Sequence, residues 1–444
     1  MSCPRILIGA QSSGSGKTTV TCGILQALVN RGLRVASFKC GPDYIDPMFH
    51  SNVIGTKSKN LDPYFVDEGT LRYLFERTAQ QCQISVIEGV MGYYDGNPMG
   101  STDCSTCDVS LKLSAPTIIL IDAHGASTSA LAMLKGFLEY GDNTIKGVIF
   151  NRMSEHVFKA IAPMVEAMGV KAIGYVPKLK DITLESRHLG LVMPSEISDL
   201  KDMLMRLADI LEESLDIDAI IGLANEAPEL EYKEPVVEKT GEGLRIGLAK
   251  DETFCFTYED NIELLKRAGA EIVEFSPMHD KELPDVDMIV LSGGYPELYG
   301  KELESNVEMR GAIRDAIAGG MPCLAECGGF MYLHDTMEDS DGNMREMCGV
   351  IHGSVTNRHK LTRFGYVTLH TKTCDTDVKG HEFHHWDSDN CGTDWTASKT
   401  SGKTYECVHD NGKLIAGYPH VYYYSNPSFA TGLLRNIPRR DRTN

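Results

Sequence analysis

The stretch Arg5-Ile6-Leu7-Ile8-Gly9-Ala10-Gln11-Ser12-Ser13-Gly14-Ser15-Gly16-Lys17-Thr18-Thr19 sets the fold of the N-terminal half. Six residues, almost all apolar, read as a strand buried on both faces, a glycine-rich turn follows, and a helix opens with Lys-Thr. A strand, a glycine turn and a helix in that order form a phosphate-binding loop, because backbone N–H groups and the helix N-terminus converge on one anion. Residues Ser13, Gly14, Ser15, Gly16, Lys17, Thr18 and Thr19 are the expected contacts of ATP, with Lys17 facing the terminal phosphates and Thr18 offering a hydroxyl to Mg2+. The strict pattern G-x-x-x-x-G-K-[ST] is not met, since Gln11 stands at its first glycine. A dinucleotide fingerprint fits less well, because Thr19 takes the place of its third glycine.

Outward from this loop, apolar β-rich runs alternate with helical patterns. Arg34–Phe38, Ile84–Ile87, Thr117–Ile121, Gly147–Phe150 and Lys171–Val176 are expected strands, and Thr18–Val29 and Ser127–Tyr140 expected helices. Alternation of this kind predicts an α/β layered fold with a parallel sheet. Ligands of such sheets gather beyond the carboxyl ends of strands, where Asp43, Asp46, Glu88 and Asp95 all fall. Glu88, ending a strand, is placed as a magnesium partner. Asp43, Asp46 and Asp95 stand equally well as turn formers beside Pro and Gly.

Periodicity fades in a charged stretch holding Pro235, so the expected division is a synthetase domain over 1–223, a linker over 224–243 and a second domain over 244–444. Alternation resumes at Leu244–Ala249, with a helix over Asn261–Ala268 and strands at Met288–Leu291 and Pro322–Ala325. The fold class expected is two α/β domains, each a mostly parallel sheet flanked by helices, with more β than α after Val350. Within the second domain, Ala325-Glu326-Cys327-Gly328-Gly329 has the small flanks of a nucleophile elbow, and a following helix N-terminus would lower the thiol pKa. His420 is the expected base, and the backbone N–H groups of Gly294 and Gly328 the expected oxyanion donors. His381-Glu382-Phe383-His384-His385 satisfies H-E-x-x-H, but Gly380 before it and Trp386-Asp387-Ser388-Asp389 after it favour strand or turn. A strand would put His381 and His385 on one face yet too far apart to chelate zinc.

The bulk properties narrow the class further. At 444 residues the chain is too long for one ordinary core. A net charge of −19 argues against a general nucleic-acid binder, which needs a basic face. Thirteen cysteines, spread through both halves, predict a reducing cytoplasm and no disulfide framework, and the Cys104–Cys107 pair has no second pair at zinc-ribbon spacing. The opening residues show no signal-peptide pattern, and no apolar run approaches the ~18 residues of a membrane span.

Six blocks in order, Gly14–Thr19, Lys39–Pro47, Glu88–Gly96, Ser292–Glu297, Leu324–Leu333 and Gly380–His384, resemble the cobyrinic acid a,c-diamide synthase family over nearly the whole chain. The resemblance implies a dethiobiotin-synthetase-like ATP domain fused to a class I glutamine amidotransferase domain. It implies small-molecule substrates: a carboxylated corrinoid, glutamine and ATP, with Mg2+ as cofactor. Glutamine would be hydrolysed through a thioester on Cys327 with His420 as base, and ammonia would displace phosphate from an acyl phosphate, first at one of carboxylates c and a and then at the other. Asp43, Asp46, Glu88 and Asp95 match acidic positions that hold metal or orient substrate, and Asn151 a position that recognises adenine. Many class I amidotransferases carry a glutamate two residues after the histidine. Here position 422 is Tyr, so no third member is assigned. Hydrogenobyrinic acid and nickel sirohydrochlorin stand as alternative acceptors, and a P-loop ATPase switch as the distant alternative. Ser12, where those switches carry a signature lysine, counts against the last. A homodimer is compatible with the sequence, which does not set the oligomeric state.

Overall fold

The computed structural model describes residues 3–179, 182, 197–372 and 376–439. The chain divides into two compact units, Met1–Glu234 and Pro235–Asn444.

In the first unit, seven strands are found among the described residues: β1 (Arg5–Ala10), β2 (Val35–Cys40), β3 (Lys57–Leu61), β4 (Ile84–Glu88), β5 (Thr117–Asp122), β6 (Ile145–Asn151) and β7 (Lys171–Val176). They form one sheet in the order β3-β2-β4-β1-β5-β6-β7, and every pairing is parallel. β1, β2 and β4 are buried at every position, which is why they read as mainly apolar runs and not as alternating ones. α1 (Lys17–Asn30) leaves the turn after β1 and packs against α2 (Ile197–Ser214). A Cβ on Gly23 would stand 2.4 Å from Leu211 Cδ1, so the close approach of the two helices requires glycine there. Ile24, Leu28, Leu207 and Leu211 lie in that core, each contributing roughly 1.5–3 kcal/mol by burial.

The second unit carries a six-stranded sheet in the order β20-β21-β11-β10-β8-β9. Its members are β8 (Arg245–Ala249), β9 (Glu271–Phe275), β10 (Met288–Leu291), β11 (Cys323–Glu326), β20 (His409–Asp410) and β21 (Leu414–Gly417). All pairings are parallel except that of β20 with β21. α3 (Glu259–Arg267) lies between β8 and β9 in the chain, and α4 (Gly328–Tyr332) follows β11.

Two further sheets make up the β-rich region, which starts at His334 and so earlier than the expected Val350. One joins β12 (His334–Glu338), β13 (Met344–Glu346), β14 (Ile351–Asn357) and β17 (Trp386–Ser388). The other is antiparallel and joins β15 (Arg363–Thr371), β16 (Thr376–His384), β18 (Trp395–Lys399), β19 (Thr404–Cys407) and β22 (His420–Val421). No helix among the described residues is long and apolar enough to cross a membrane.

Candidate functional site

The turn after β1 gathers the N-terminal residues. Gly14 and Gly16 have φ of 75° and 90°, a backbone that side-chain-bearing residues rarely adopt. Asn151, at the end of β6, donates from Nδ2 to the Ser15 carbonyl at 2.8 Å, and a Cβ on Gly16 would meet that same nitrogen at 2.4 Å. Asn151 therefore braces the loop itself. Ser12 and Ser15 share a hydroxyl hydrogen bond at 3.1 Å. Lys17 Nζ donates to the Met91 carbonyl at 2.7 Å, which ties the loop lysine to the segment Met91–Gly96.

The acids divide into two groups. Glu88 ends β4, next to β1, and its Oε1 accepts from the Thr18 hydroxyl at 2.7 Å and from Lys39 Nζ at 2.7 Å. Lys39 also reaches Asp46 Oδ2 at 2.5 Å, so Glu88 and Asp46 share one buried cation. Asp43 instead caps the turn into the helix Ile45–Phe49, accepting the Ile45 and Asp46 N–H groups. Asp95 accepts the Gly92 N–H at 3.0 Å and shapes its own loop.

The electrostatics follow from crowding buried charges. Burial lowers Lys17 to about 8, with the neighbouring Lys39 adding to the effect and Glu88 opposing it. Burial also acts to lower Lys39, but Glu88 and Asp46 outweigh it and hold that amine above its usual range. Asp46 is pushed up, first by burial and then by the charge of Glu88. Burial would raise Glu88 too, but the Lys39 ammonium keeps it down. His50, driven by burial to about 4, is neutral at pH 7, so its 3.5 Å contact with Glu88 is not an ion pair. The sequence expectation ends the strand at Phe38, gives Lys39 no role of its own within the block Lys39–Pro47, and passes over His50. A lysine inside the apolar run Val35–Cys40 was the available signal.

In the second unit Cys327 stands between β11 and α4, with φ 47° and ψ −104°. It is a non-glycine residue in a sterically poor region, the strained turn of an elbow. Its N–H donates to the Gly417 carbonyl at 2.8 Å, and its carbonyl accepts from Met331 N at 2.9 Å. The glycines around it make the room: a Cβ on Gly329 would lie 2.1 Å from the Leu291 carbonyl oxygen. A Cβ on Gly328 would lie 3.0 Å from Gly294 N, so the two expected oxyanion donors belong to one corner. Gly294 itself has φ 153°, and a Cβ there would stand 1.8 Å from the Thr253 carbonyl oxygen.

His420 emerges three residues after Gly417, the residue paired with Glu326. A Cβ on Gly293 would meet its Cε1 at 2.3 Å, so the loop after β10 touches His420 with one residue and the elbow with the next. The His420 ring stacks on His381, with centroids 5.0 Å apart and planes at 15°. Glu326 Oε1 accepts the N–H of Val421, the residue after His420, at 3.1 Å.

Burial keeps this neighbourhood neutral. Burial, then the nearby His381 and His384, pushes His420 well down; burial alone takes His381 to about 3. Burial raises Glu326 to about 8 and Glu297 to about 7. Cys327, 6% exposed, is pushed well up by burial and then by Glu297, with only the Gly328 N–H opposing. This corrects the expectation of a lowered thiol pKa: α4 has five residues, and desolvation outweighs it. The H-E-x-x-H segment is strand, as expected, up to His384. His385 lies beyond its end and is exposed, whereas His381 is buried, so the two do not share a face.

Residues 6–192 match the CobQ/CobB/MinD/ParA nucleotide binding domain, and residues 245–428 the CobB/CobQ-like glutamine amidotransferase domain. Cobyrinate a,c-diamide synthase of Listeria monocytogenes is 37% identical over 452 residues, spanning 98% of this chain and 100% of that protein. The same-named protein of Salmonella typhimurium is 38% identical over 448 residues, spanning 95% of each. A solved glutamine amidotransferase covers 43% of this chain and 97% of its own at 17% identity, with a TM-score of 0.32 that carries no argument. The chain belongs to the cobyrinate a,c-diamide synthase family of glutamine-dependent amidating ligases.

Proposed function

We propose that the chain amidates the a and c side-chain carboxylates of cobyrinic acid, using ATP and glutamine in the cytoplasm. The synthetase work falls to 1–223 and the glutamine work to 244–444, joined by a linker over 224–243. The observation that carries the glutamine half is the positive φ of Cys327 in a corner shared with Gly328 and Gly294.

In this reading the Cys327 thiol gives its proton to His420 and attacks the glutamine side-chain carbonyl. The N–H groups of Gly294 and Gly328 hold the oxyanion, ammonia leaves with the proton from His420, and water hydrolyses the thioester to glutamate. Because the resting thiol is protonated, transfer to a neutral His420 is the step that arms it.

In the first unit the loop Ser13–Thr19 binds ATP, with Lys17 on the terminal phosphates and Asn151 holding the loop in shape. A carboxylate oxygen of the substrate attacks the γ-phosphorus and ADP leaves. Ammonia then attacks the acyl carbon, phosphate leaves, and an amide remains. Lys39, balanced by Glu88 and Asp46, offers a buried cation to the reacting carboxylate, while Asp43 and Asp95 shape the loops around it.

A magnesium ion fits the donors present: the Thr18 hydroxyl and Glu88, whose buried Oε2 lacks a hydrogen-bond partner, are oxygen ligands of the kind that bind it together with phosphates. When bound, it would neutralise charge on the transferring phosphoryl group.

The test is the mass gain of cobyrinic acid, hydrogenobyrinic acid and nickel sirohydrochlorin incubated with ATP and glutamine. Two successive amidations of cobyrinic acid are expected. Amidation of another macrocycle alone would overturn the substrate assignment, and hydrolysis of glutamine without amidation of any would overturn the acceptor class.

A further inference from the structure

We propose that His381 is the positioning residue of the glutamine site, holding the ring of His420 in place where many class I amidotransferases use a glutamate two residues after the histidine. The proposal rests on the Cys327–His420 reading above.

Three independent features converge on it. First, β16 and β22 are antiparallel neighbours and His381 stands directly opposite His420 in the register. The backbones are pressed together there, since a Cβ on Gly380 would lie 2.3 Å from the His420 carbonyl oxygen. Second, the two rings are near-parallel at 5.0 Å, a stacked geometry that removes rotational freedom from His420. Gly293 at Cε1 and Phe256, with its ring centroid 6.5 Å away, close around the same imidazole. Third, His381 is itself held. Its Nδ1 lies 3.1 Å from the Tyr258 hydroxyl, and Tyr258 packs edge-on against Tyr422 at 5.0 Å and 87°. Tyr422 occupies the position where many class I amidotransferases carry glutamate, and its hydroxyl donates to Asp260 at 2.9 Å.

A stack orients the base as a carboxylate does, with one difference in sign. A carboxylate beside His420 would stabilise the imidazolium; a buried neutral ring disfavours it. The groups facing His420 agree with that sign. β16 supplies His381 and His384; Tyr258, at the approach to α3, contacts His381, and the Glu326 carboxyl at the end of β11 accepts the N–H of Val421, next to His420. Asp260 accepts the Tyr422 hydroxyl. The site therefore keeps His420 neutral and ready to accept a proton, and fixes where that proton goes.

The experiment is glutamine hydrolysis as a function of pH in the full chain for His381→Ala and His381→Phe, with ammonia-driven amidation measured in parallel. His381→Ala is expected to lower kcat roughly 10- to 100-fold with KM for glutamine little changed. The acid limb of kcat/KM is expected to move to higher pH, because His420 loses a neighbour that disfavours its charged form. His381→Phe keeps an aromatic face and is expected to retain most of kcat, and ammonia-driven amidation should be unaffected in both. If His381→Ala fails to fold, Tyr258→Phe removes the hydroxyl 3.1 Å from His381 Nδ1 and should lower kcat by about 3- to 10-fold at constant KM.

A wild-type kcat and acid limb in His381→Ala, or in Tyr258→Phe where the first does not fold, would overturn the proposal. So would a change in KM alone. Cys327→Ala separates the two levels: if it still hydrolyses glutamine, the Cys–His reading fails and the proposal with it. If it is inactive while His381→Ala behaves as wild type, only the role of His381 fails.

Discussion

The phosphate-binding turn and the cysteine elbow are the same local construction put to opposite uses. Each is a strand of a parallel sheet, a turn with positive φ, and a helix. At the first turn the positive angles fall on Gly14 and Gly16; at the second they fall on Cys327. A loop that presents N–H groups to an anion works best without side chains, and Gly16 has no room for one beside Asn151. An elbow exists to present a side chain, so it keeps the Cβ, and the neighbouring glycines give way. The surroundings differ in the same sense. Around the first turn Lys17, Lys39, Glu88 and Asp46 form a buried set of charges suited to an anionic ligand. Around the second, burial holds the thiol, His381, His420, Glu326 and Glu297 toward their neutral forms, which suits proton transfer. One corner is built for charge and the other for its absence.

The largest expected effects separate the two corners by nitrogen source. Cys327→Ala should abolish glutamine-driven amidation, a loss of at least about 1,000-fold, and leave ammonia-driven amidation largely intact. Equal loss of both would break the division of labour. Lys17→Ala should lower amidation about 100- to 1,000-fold with glutamine or ammonia alike, since it removes charge stabilisation from the phosphoryl-transfer step. Retained activity in steady-state assays with either source would mean that the loop binds no reacting phosphate.

How much of this was legible depended on whether the signal was local. β1 and β4 were readable because strands buried on both faces leave continuous apolar runs. β3 was not: Lys57-Ser58-Lys59-Asn60-Leu61 lies at the sheet edge and offers no apolar pattern. Cys327 could be found from its small neighbours. Its raised thiol pKa could not, because burial is set by residues far away in sequence. Asp43 and Asp46 looked alike in the sequence, and only the fold distinguishes a turn cap from a partner of Lys39. The stack of His381 on His420 joins positions 39 apart through the register of two strands, and no spacing rule reports it.

A thermodynamic comparison sharpens the electrostatic contrast. The Lys39 side chain is 7% exposed and its partners Asp46 and Glu88 are 6% and 0% exposed, so removing the cation leaves two carboxylates without compensation. Lys39→Met is expected to cost about 3 kcal/mol at pH 8, read from the urea midpoint of the first unit's transition. Burial and Glu88 already raise Asp46 above its unfolded value, and losing Lys39 raises it further. The folded variant therefore takes up a proton that the unfolded chain does not, and its stability falls as pH rises. The deficit should thus be smaller at pH 6 than at pH 8. An equal deficit at both would mean that Lys39 acts through packing and not through its charge.

The smallest effect tests the shared geometry directly, by exchanging the side-chain rule between the two turns. Cys327→Ala and Cys327→Gly both remove the thiol, but only alanine keeps a Cβ at φ 47° and ψ −104°. Strain at such a position is worth about 1–3 kcal/mol, and glycine returns up to about 1 kcal/mol of that through the greater freedom of the unfolded chain. Cys327→Gly should therefore be more stable than Cys327→Ala by about 1 kcal/mol. Gly16→Ala should show the same preference for glycine and lose at least about 1 kcal/mol, because its Cβ adds a 2.4 Å approach to Asn151 Nδ2 to the unfavourable φ of 90°. Glycine more stable than alanine at both positions in thermal melts would show that function alone keeps a side chain on the elbow. Equal stability of the alanine and glycine variants at 327 would mean that the elbow is relaxed, and that the contrast with the phosphate-binding turn lies in its electrostatics alone.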